Sequence, residues 1–146
     1  MLLNDKIKKA LDDDLLLLVH HHADVDSIAS AIGLNSVFKK STICASDGVS
    51  SHGQKLASVM NIEIVEKPPE SWGGTVVVLD SPNPEHCNPV PKSESIVVID
   101  HHTKIEGWKK ETEVIHLPQR TSTAEIILDL ILEMDLEISN LHDITP

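Results

Sequence analysis

The sequence is poor in aromatic residues, in cysteine and in positive charge. Its aromatic side chains are Phe38, Trp72 and Trp108, so we expect no base-stacking platform for long single-stranded nucleic acid. Lys and Arg number 12 against 23 Asp and Glu, and the net charge of −11 should repel the phosphate backbone of duplex DNA. Cys44 and Cys87 have no CxxC spacing, which predicts buried thiols in a reducing compartment rather than a zinc knuckle.

Long apolar runs are also absent. No run reaches the roughly eighteen residues of a membrane-spanning helix, so we expect no membrane partner. The start, MLLNDKIKKALDDD, carries charges where a secretory signal needs an uninterrupted apolar stretch, and this predicts a cytoplasmic protein. The 146 residues contain no repeat and no linker-like tract, which predicts a single domain over 1–146.

The remaining pattern is typical of an α/β protein. Continuous apolar runs predict strands buried on both faces, and they lie at 15–19, 75–80, 95–100 and 113–117, with weaker candidates at 41–46 and 62–66. Helical patterns lie at 4–11, 27–39, 54–60 and 123–136. Ser122 and Glu125 have the spacing of a capping box at the start of the last helix. The alternation predicts a doubly wound, mainly parallel sheet with helices on both faces.

Three of the predicted strands finish on residues that bind metals. His20 follows the first strand, Asp80 ends the second, and Asp100 is followed by His101 and His102. Parallel strands bring their carboxyl ends to one edge of a sheet, where the ligand crevice of an open α/β fold lies. We therefore expect these residues to converge, although 80 positions separate the first from the last.

Asp24 and Asp26 extend this set. A spacing of two residues would put them on different faces of a helix, so we expect them on the loop between strand and helix, with Asp26 a candidate cap for a helix that starts at Ser27. So many carboxylates and imidazoles in one crevice call for a cation. Nitrogen and carboxylate ligands without thiolate favour Mn²⁺, Fe²⁺, Co²⁺ or Zn²⁺ over Mg²⁺, and the number of ligands suits two ions.

Four motifs carry a resemblance to a known family. VHHHADVDSIASAIGL, VVVLDSPNPEH, VVIDHHTK and RTSTAEIILDLI occur in this order, and with them the chain closely resembles the DHH phosphoesterases over nearly its whole length. The resemblance implies hydrolysis of phosphoester or phosphoanhydride bonds with two divalent cations, usually Mn²⁺, with Mg²⁺, Co²⁺ and Zn²⁺ as alternatives.

The resemblance also implies roles for individual residues. One ion would take His20, Asp24 and Asp80, and the other would take Asp26, Asp80 and His101. His102 would face the substrate phosphate and stabilise the charge that develops there. Asp100 would orient a histidine by a hydrogen bond.

The chain departs from the family pattern near its end. Relatives carry a further metal-binding Asp in a segment like GIxxDT and then a C-terminal substrate-binding domain, so we expect this chain to stop before both. Asp129, Asp135 and Asp143 lack that motif and are interpreted as solvated helix residues. Four other histidines have no motif and are interpreted as surface or locally hydrogen-bonded residues and not as ligands: His52, His86, His116 and His142.

Three functions stay open at this point. SPNPEH and STAEII resemble the subgroup that cleaves short single-stranded oligonucleotides or nucleotide 3′-phosphates. DVDSIASAI resembles the manganese-dependent inorganic pyrophosphatases. The missing Asp leaves room for a regulatory module that binds nucleotide or metal without turnover. The sequence leaves both a monomer and a homodimer open.

Overall fold

The computed structural model describes residues 2–134. In chain order the elements are α1 (Asp5–Leu11), β1 (Leu15–Val19), α2 (Val25–Val37), β2 (Ser41–Ala45), α3 (Ser51–Val59), β3 (Ile64–Val65), β4 (Thr75–Leu79), a 3₁₀ helix (Pro84–Cys87), β5 (Ser95–Asp100), β6 (Glu113–His116) and α4 (Thr123–Met134). The strands form one six-stranded sheet in the order β3-β2-β1-β4-β5-β6.

Every strand pair in this sheet is parallel. The chain first moves outward from β1 to β2 and β3, and then returns to the other side of β1 with β4. The strand order therefore reverses between β1 and β4, and a crevice at such a switch point is where open α/β sheets bind ligands. The predicted fold class is confirmed.

The central strands are buried because apolar layers cover both faces of the sheet. Leu15, Leu17 and Val19 of β1 belong to the larger cluster, to which α1, α2, α3 and α4 contribute. Leu16 and Leu18 face a smaller cluster. In the described part of the chain, that second face is covered by the 3₁₀ helix and by loops that supply partly buried apolar side chains: Trp72, Val90 and Trp108.

Helix α2 begins two residues earlier than the sequence predicted. Its N-cap is Asp24, whose side chain accepts a hydrogen bond from the amide of Ser27. Asp26 therefore lies in the first helical turn and not on the preceding loop, so the prediction that it caps this helix is wrong. The sequence offered two acidic candidates for one cap, and spacing alone did not separate them.

The other helix starts follow ordinary capping rules. Ser50 caps α3 by accepting from the amide of Gly53, which places its start at Ser51 rather than at the predicted Gln54. Helix α4 starts at Thr123, as predicted, and the Ser122 hydroxyl accepts from the amide of Glu125 at 3.2 Å. Its predicted continuation to residue 136 lies outside the described residues.

Both cysteines are buried, as predicted. Burial raises the pKa of Cys44 to about 11. Burial also raises the pKa of Cys87, to about 12, against a smaller opposing effect of Ser81. Thiols with such pKa values are poor nucleophiles and poor metal ligands at neutral pH. Among the described residues, no helix combines the length and apolarity needed to cross a membrane.

Candidate metal centre

Loops on both sides hold the segment that follows β1. The amide of His21 donates to the carbonyl of His86, and the amide of His22 donates to that of Asp47, at 2.7 and 2.8 Å. These bonds tie the segment to the loops that follow β4 and β2. His20 therefore leaves the sheet on a fixed backbone, at the point where the strand order reverses.

His20 lies between two carboxylates. Its Nε2 atom is 3.7 Å from Oδ1 of Asp24 and 3.7 Å from Oδ2 of Asp80. Its Nδ1 atom is 2.7 Å from the carbonyl oxygen of His21, so Nδ1 carries a proton. Burial lowers the pKa of His20, but the hydrogen bonds to Asp80 and His21 and the two carboxylate charges outweigh it and raise the pKa to about 8.

Asp80 is the central residue of the site. It directly follows β4, is 3% exposed, and has a φ of +61°. This left-handed conformation is uncommon outside glycine, although Asp and Asn adopt it more readily than other residues. Its Oδ1 accepts a hydrogen bond from the Thr123 hydroxyl at 3.0 Å and lies 3.5 Å from Nε2 of His101.

His101 and His102 approach Asp80 differently. His101 presents Nε2, because its Nδ1 lies 3.3 Å from the carbonyl oxygen of Arg120. His102 turns Nδ1 inward, at 2.7 Å from Oδ1 of Asp100, and its amide donates to Oδ2 of the same carboxylate at 2.9 Å. Asp100 is fully buried, whereas the side chain of His102 is 44% exposed.

Asp26 joins this cluster from α2. Its Oδ2 lies 3.5 Å from Nε2 of His101, and its two oxygens also accept from the amides of Thr123 and Ala124 at 3.0 and 2.9 Å. Burial raises the pKa of Asp26, and the charge of Asp80 adds to this effect against the opposing amide bonds. Asp26 therefore caps α4, a helix 97 residues further along the chain.

Among residues 2–134, two groups of three side chains lie close enough together to hold a metal ion, and both contain Asp80. They are His20, Asp24 and Asp80, and Asp80, His101 and His102, each with ligand atoms within 4.8 Å of one another. The first group is the ligand set predicted for one ion. The second contains His102 where Asp26 was predicted, but the Nδ1 atom of His102, 3.9 Å from Oδ1 of Asp80, is already bonded to Asp100.

The donor atoms fit divalent cations. Imidazoles that bind a metal through one nitrogen usually donate the other N–H to a carbonyl or a carboxylate. The Nδ1 atoms of His20 and His101 both face a carbonyl oxygen, and each ring turns Nε2 toward carboxylate oxygens. Acceptor atoms that face one another repel unless a proton or a cation lies between them, and mixed nitrogen and oxygen donors suit Mn²⁺, Fe²⁺, Co²⁺ and Zn²⁺.

Sequence reasoning missed two residues that contact this cluster. Thr123 bonds to Asp80, and Nε2 of His116 lies within hydrogen-bond distance of the His102 carbonyl oxygen. A signal for His116 was its position at the end of β6, the strand that neighbours β5, since Asp100 and His116 are paired in the sheet.

The remaining residues considered from the sequence lie elsewhere. Asp129 pairs with Arg120 at 2.7 Å rather than being simply solvated. His52 is exposed at the start of α3, and His86 is exposed on the 3₁₀ helix. Asp135, His142 and Asp143 lie outside the described residues.

The sequence model of the DHH family, N-terminal domain, matches residues 15–145. The chain belongs to the DHH family. The matched range includes all seven predicted site residues.

One relative is similar in sequence, and two solved structures have a similar fold. An uncharacterized protein of Methanocaldococcus jannaschii is 26% identical over 136 residues, which cover 85% of this chain and 40% of that protein. A candidate family II inorganic pyrophosphatase of Methanococcus jannaschii has a TM-score of 0.63 at 18% identity, over 82% of this chain and 39% of that one. An exopolyphosphatase-related protein of Bacteroides fragilis has a TM-score of 0.60 at 20% identity, over 89% and 43%. The chain thus spans about two fifths of the length of these relatives.

Proposed function

We propose that this protein is a divalent-cation-dependent phosphoesterase that cleaves short oligonucleotides or small nucleotides. The observation that carries the proposal is the sharing of the buried Asp80 by two groups of ligand-type residues at the switch point of the sheet. Two ions bridged by a carboxylate form the arrangement of many phosphatases and nucleases. Mn²⁺ is the favoured ion, because the ligands are imidazole and carboxylate without thiolate.

Each residue has a role that follows from its geometry. His20, Asp24 and Asp80 would hold one ion, and Asp80 and His101, with Asp26 beside them, would hold the other. When bound, the ions would supply Lewis acidity toward water and toward the phosphoryl oxygens. The same positive charge lets an anionic substrate approach a chain whose net charge is −11.

His102 is the proposed proton carrier. Asp100 accepts both its amide and its Nδ1–H, which fixes the tautomer and leaves Nε2 on the exposed side of the ring. In hydrolysis, a water oxygen forms a bond to phosphorus and releases one proton to solvent, while the bond from phosphorus to the leaving oxygen breaks. A protonated Nε2 would give its proton to that leaving oxygen, and the buried carboxylate of Asp100 would stabilise the imidazolium before transfer.

A direct assay tests the proposal against its alternatives. The protein, freed of metal by a chelator, is incubated with Mn²⁺ and with a dinucleotide, a nucleoside 3′-phosphate or inorganic pyrophosphate. Mn²⁺-dependent release of mononucleotide or of phosphate from a nucleotide supports the proposal. Turnover of pyrophosphate alone would assign the protein to the pyrophosphatase alternative, for which the stretch DVDSIASAI is the sequence argument.

The regulatory alternative gives a different result. A module that binds without turnover would bind Mn²⁺ and nucleotide in calorimetry and release no product. The engagement of Asp26 by the amides of α4 is the observation on its side, because it weakens the second ligand set. Turnover and calorimetry should therefore be measured on one preparation of the protein, with His102→Ala as the negative control for turnover.

A further inference from the structure

Thr123, the first residue of α4, donates hydrogen bonds to two different carboxylates of the candidate metal centre. Its hydroxyl donates to Oδ1 of Asp80 at 3.0 Å, and its amide donates to Oδ2 of Asp26 at 3.0 Å. Thr123 is fully buried, so neither bond has to compete with bulk water. Thr123 therefore contacts both Asp26 and Asp80, the two carboxylates that lie 3.5 Å from Nε2 of His101.

The hydroxyl of Thr123 is not used to cap its own helix. That position is filled by Ser122, whose hydroxyl accepts from the amide of Glu125 at 3.2 Å. A threonine in a first helical turn commonly satisfies helix amides or solvent. Here the side chain instead bonds to Asp80, directly after β4 and 43 positions earlier in the chain, which indicates a role in the cluster and not in the helix.

The bond to Thr123 determines how Asp80 presents its oxygens. The torsion that rotates a carboxylate is soft, so the carboxylate needs a directional partner to hold one orientation. With Oδ1 bonded to the hydroxyl and lying 3.5 Å from His101, Oδ2 lies toward His20 at 3.7 Å. The carboxylate then has one oxygen for each of the two groups, as a bridging ligand requires.

The start of α4 also contributes electrostatically. The amides of Thr123 and Ala124 both point at Asp26, and the amino end of a helix carries partial positive charge. That charge offsets part of the repulsion between Asp26 and Asp80. The end of the helix therefore holds the two carboxylates together when no cation is bound.

We propose that Thr123 is a positioning residue for the metal centre, which fixes the rotation of Asp80 through its hydroxyl and the place of Asp26 through its amide. The inference rests on the proposed function, because it concerns the binding of divalent cations at this site. Residues that orient metal ligands typically change affinity by about 10- to 100-fold when they are removed.

The test compares three variants of the full chain. Thr123→Val keeps the shape and the amide but removes the hydroxyl, whereas Thr123→Ser keeps the hydroxyl. Ser122→Ala removes the cap of the same helix without touching Asp80. Mn²⁺ affinity and stoichiometry are measured by titration calorimetry, and the electron paramagnetic resonance spectrum of bound Mn²⁺ reports on coupling between two ions.

We expect Thr123→Val to weaken Mn²⁺ binding by about 10- to 100-fold and to reduce the signal of coupled ions. Thr123→Ser should stay within about threefold of wild type, since it retains the outer-shell donor. Ser122→Ala should lower the midpoint of thermal unfolding and leave Mn²⁺ affinity unchanged. This difference separates positioning of the ligand from a general effect on α4.

Several outcomes would overturn the inference. Wild-type Mn²⁺ affinity in Thr123→Val would do so, as would equal losses in the Val and Ser variants. If Thr123→Val does not fold, Thr123→Ala gives a second variant without the hydroxyl and with a smaller side chain, and the same comparison applies. If the wild type binds no Mn²⁺, both the proposed function and this inference fail. If the wild type and Thr123→Val bind Mn²⁺ equally well, only this inference fails.

Discussion

Nδ1 of His102 lies 2.7 Å from Oδ1 of Asp100, and this buried carboxylate also accepts the amide of His102. Such a pair fixes the ring of a general acid and the nitrogen that carries its proton. Because Nδ1 is engaged by Asp100, the ring has Nε2 left for the substrate. His102 and His101 therefore have different roles. His102 keeps Nε2 for the substrate, whereas His101 turns Nε2 to Asp26 and Asp80.

The first prediction concerns His102→Ala. We expect turnover to fall by about 10²- to 10⁴-fold, the usual contribution of a positioned proton donor, while Mn²⁺ affinity stays close to that of wild type. Steady-state kinetics and calorimetry on one preparation measure both quantities. His52→Ala, which removes an exposed histidine from the start of α3, is the matched control. A loss of Mn²⁺ affinity comparable to that of a ligand variant would instead place His102 among the ligands.

The second prediction concerns Asp80→Asn. Asn tolerates a positive φ, so the fold should survive, but the shared carboxylate charge is lost. We expect Mn²⁺ affinity to fall by more than about 100-fold, beyond the usual effect of losing an outer-shell partner, at both ions together. Asp47→Asn, on the exposed loop after β2, should bind like wild type. Loss of one ion with retention of the other would contradict a bridging role.

The third prediction follows from His20, whose pKa is raised to about 8. A metal needs the unprotonated Nε2, so Mn²⁺ competes with a proton below that pH. Between about pH 7 and about pH 8.5 we expect affinity to rise about eightfold, whereas an imidazole with an ordinary pKa would give less than about twofold. The stability of the metal-free protein should fall over the same pH range. The raised pKa of His20 stabilises the fold fully below about pH 6.5, and this contribution is lost as the pH rises through about 8.

Calorimetry in buffers of different ionisation enthalpy checks this proton release. His20→Asn is the comparison, since it cannot titrate in this range. If Mn²⁺ affinity depends on pH as steeply in His20→Asn as in wild type, the released proton comes from another group.

The fourth prediction concerns the opposite edge of the sheet. A Cβ added to Gly74 would lie 2.0 Å from the carbonyl oxygen of Asp14, and that carbonyl already accepts from the amide of Thr75 and from Nε1 of Trp72. Because the backbone at Asp14 is held from two sides, we expect Gly74→Ala to lower the free energy of unfolding by about 3 kcal/mol.

Its neighbour provides the control. A Cβ on Gly73 would meet nothing within 4 Å, so Gly73→Ala should change stability by less than about 0.5 kcal/mol. Urea denaturation of both variants measures the difference. Equal effects in the two variants would contradict the close approach of Gly74 to Asp14.

The fold was largely predictable because its signals are local. The bounds of β1 and β5 were predicted to the residue, since strands covered on both faces are nearly continuous apolar runs, and β5 is polar only at its two ends. The convergence of His20, Asp80 and His101 followed from parallel topology alone. In each case a short segment contained the whole signal.

The contacts that the sequence did not predict join distant segments. Asp26 caps α4 and not its own helix, and the Thr123 hydroxyl donates to Asp80 and not to its own first turn. A capping pattern is read within four residues of a helix start, so a cap supplied from 97 positions away leaves no local trace. The covering of the second face by Trp72 and Trp108 is equally non-local.

The placement of every candidate ligand beyond one edge of the sheet has a spectroscopic consequence. Strands such as β1 and β4 are five residues long and span about 16 Å at about 3.3 Å per residue. A bound paramagnetic ion would therefore broaden the amide resonances of Val19 and Leu79 far more than those of Leu15 and Thr75. The loss of signal along each strand would report the distance of its residues from the ion. The distances from four or five strands together would locate the ion in solution.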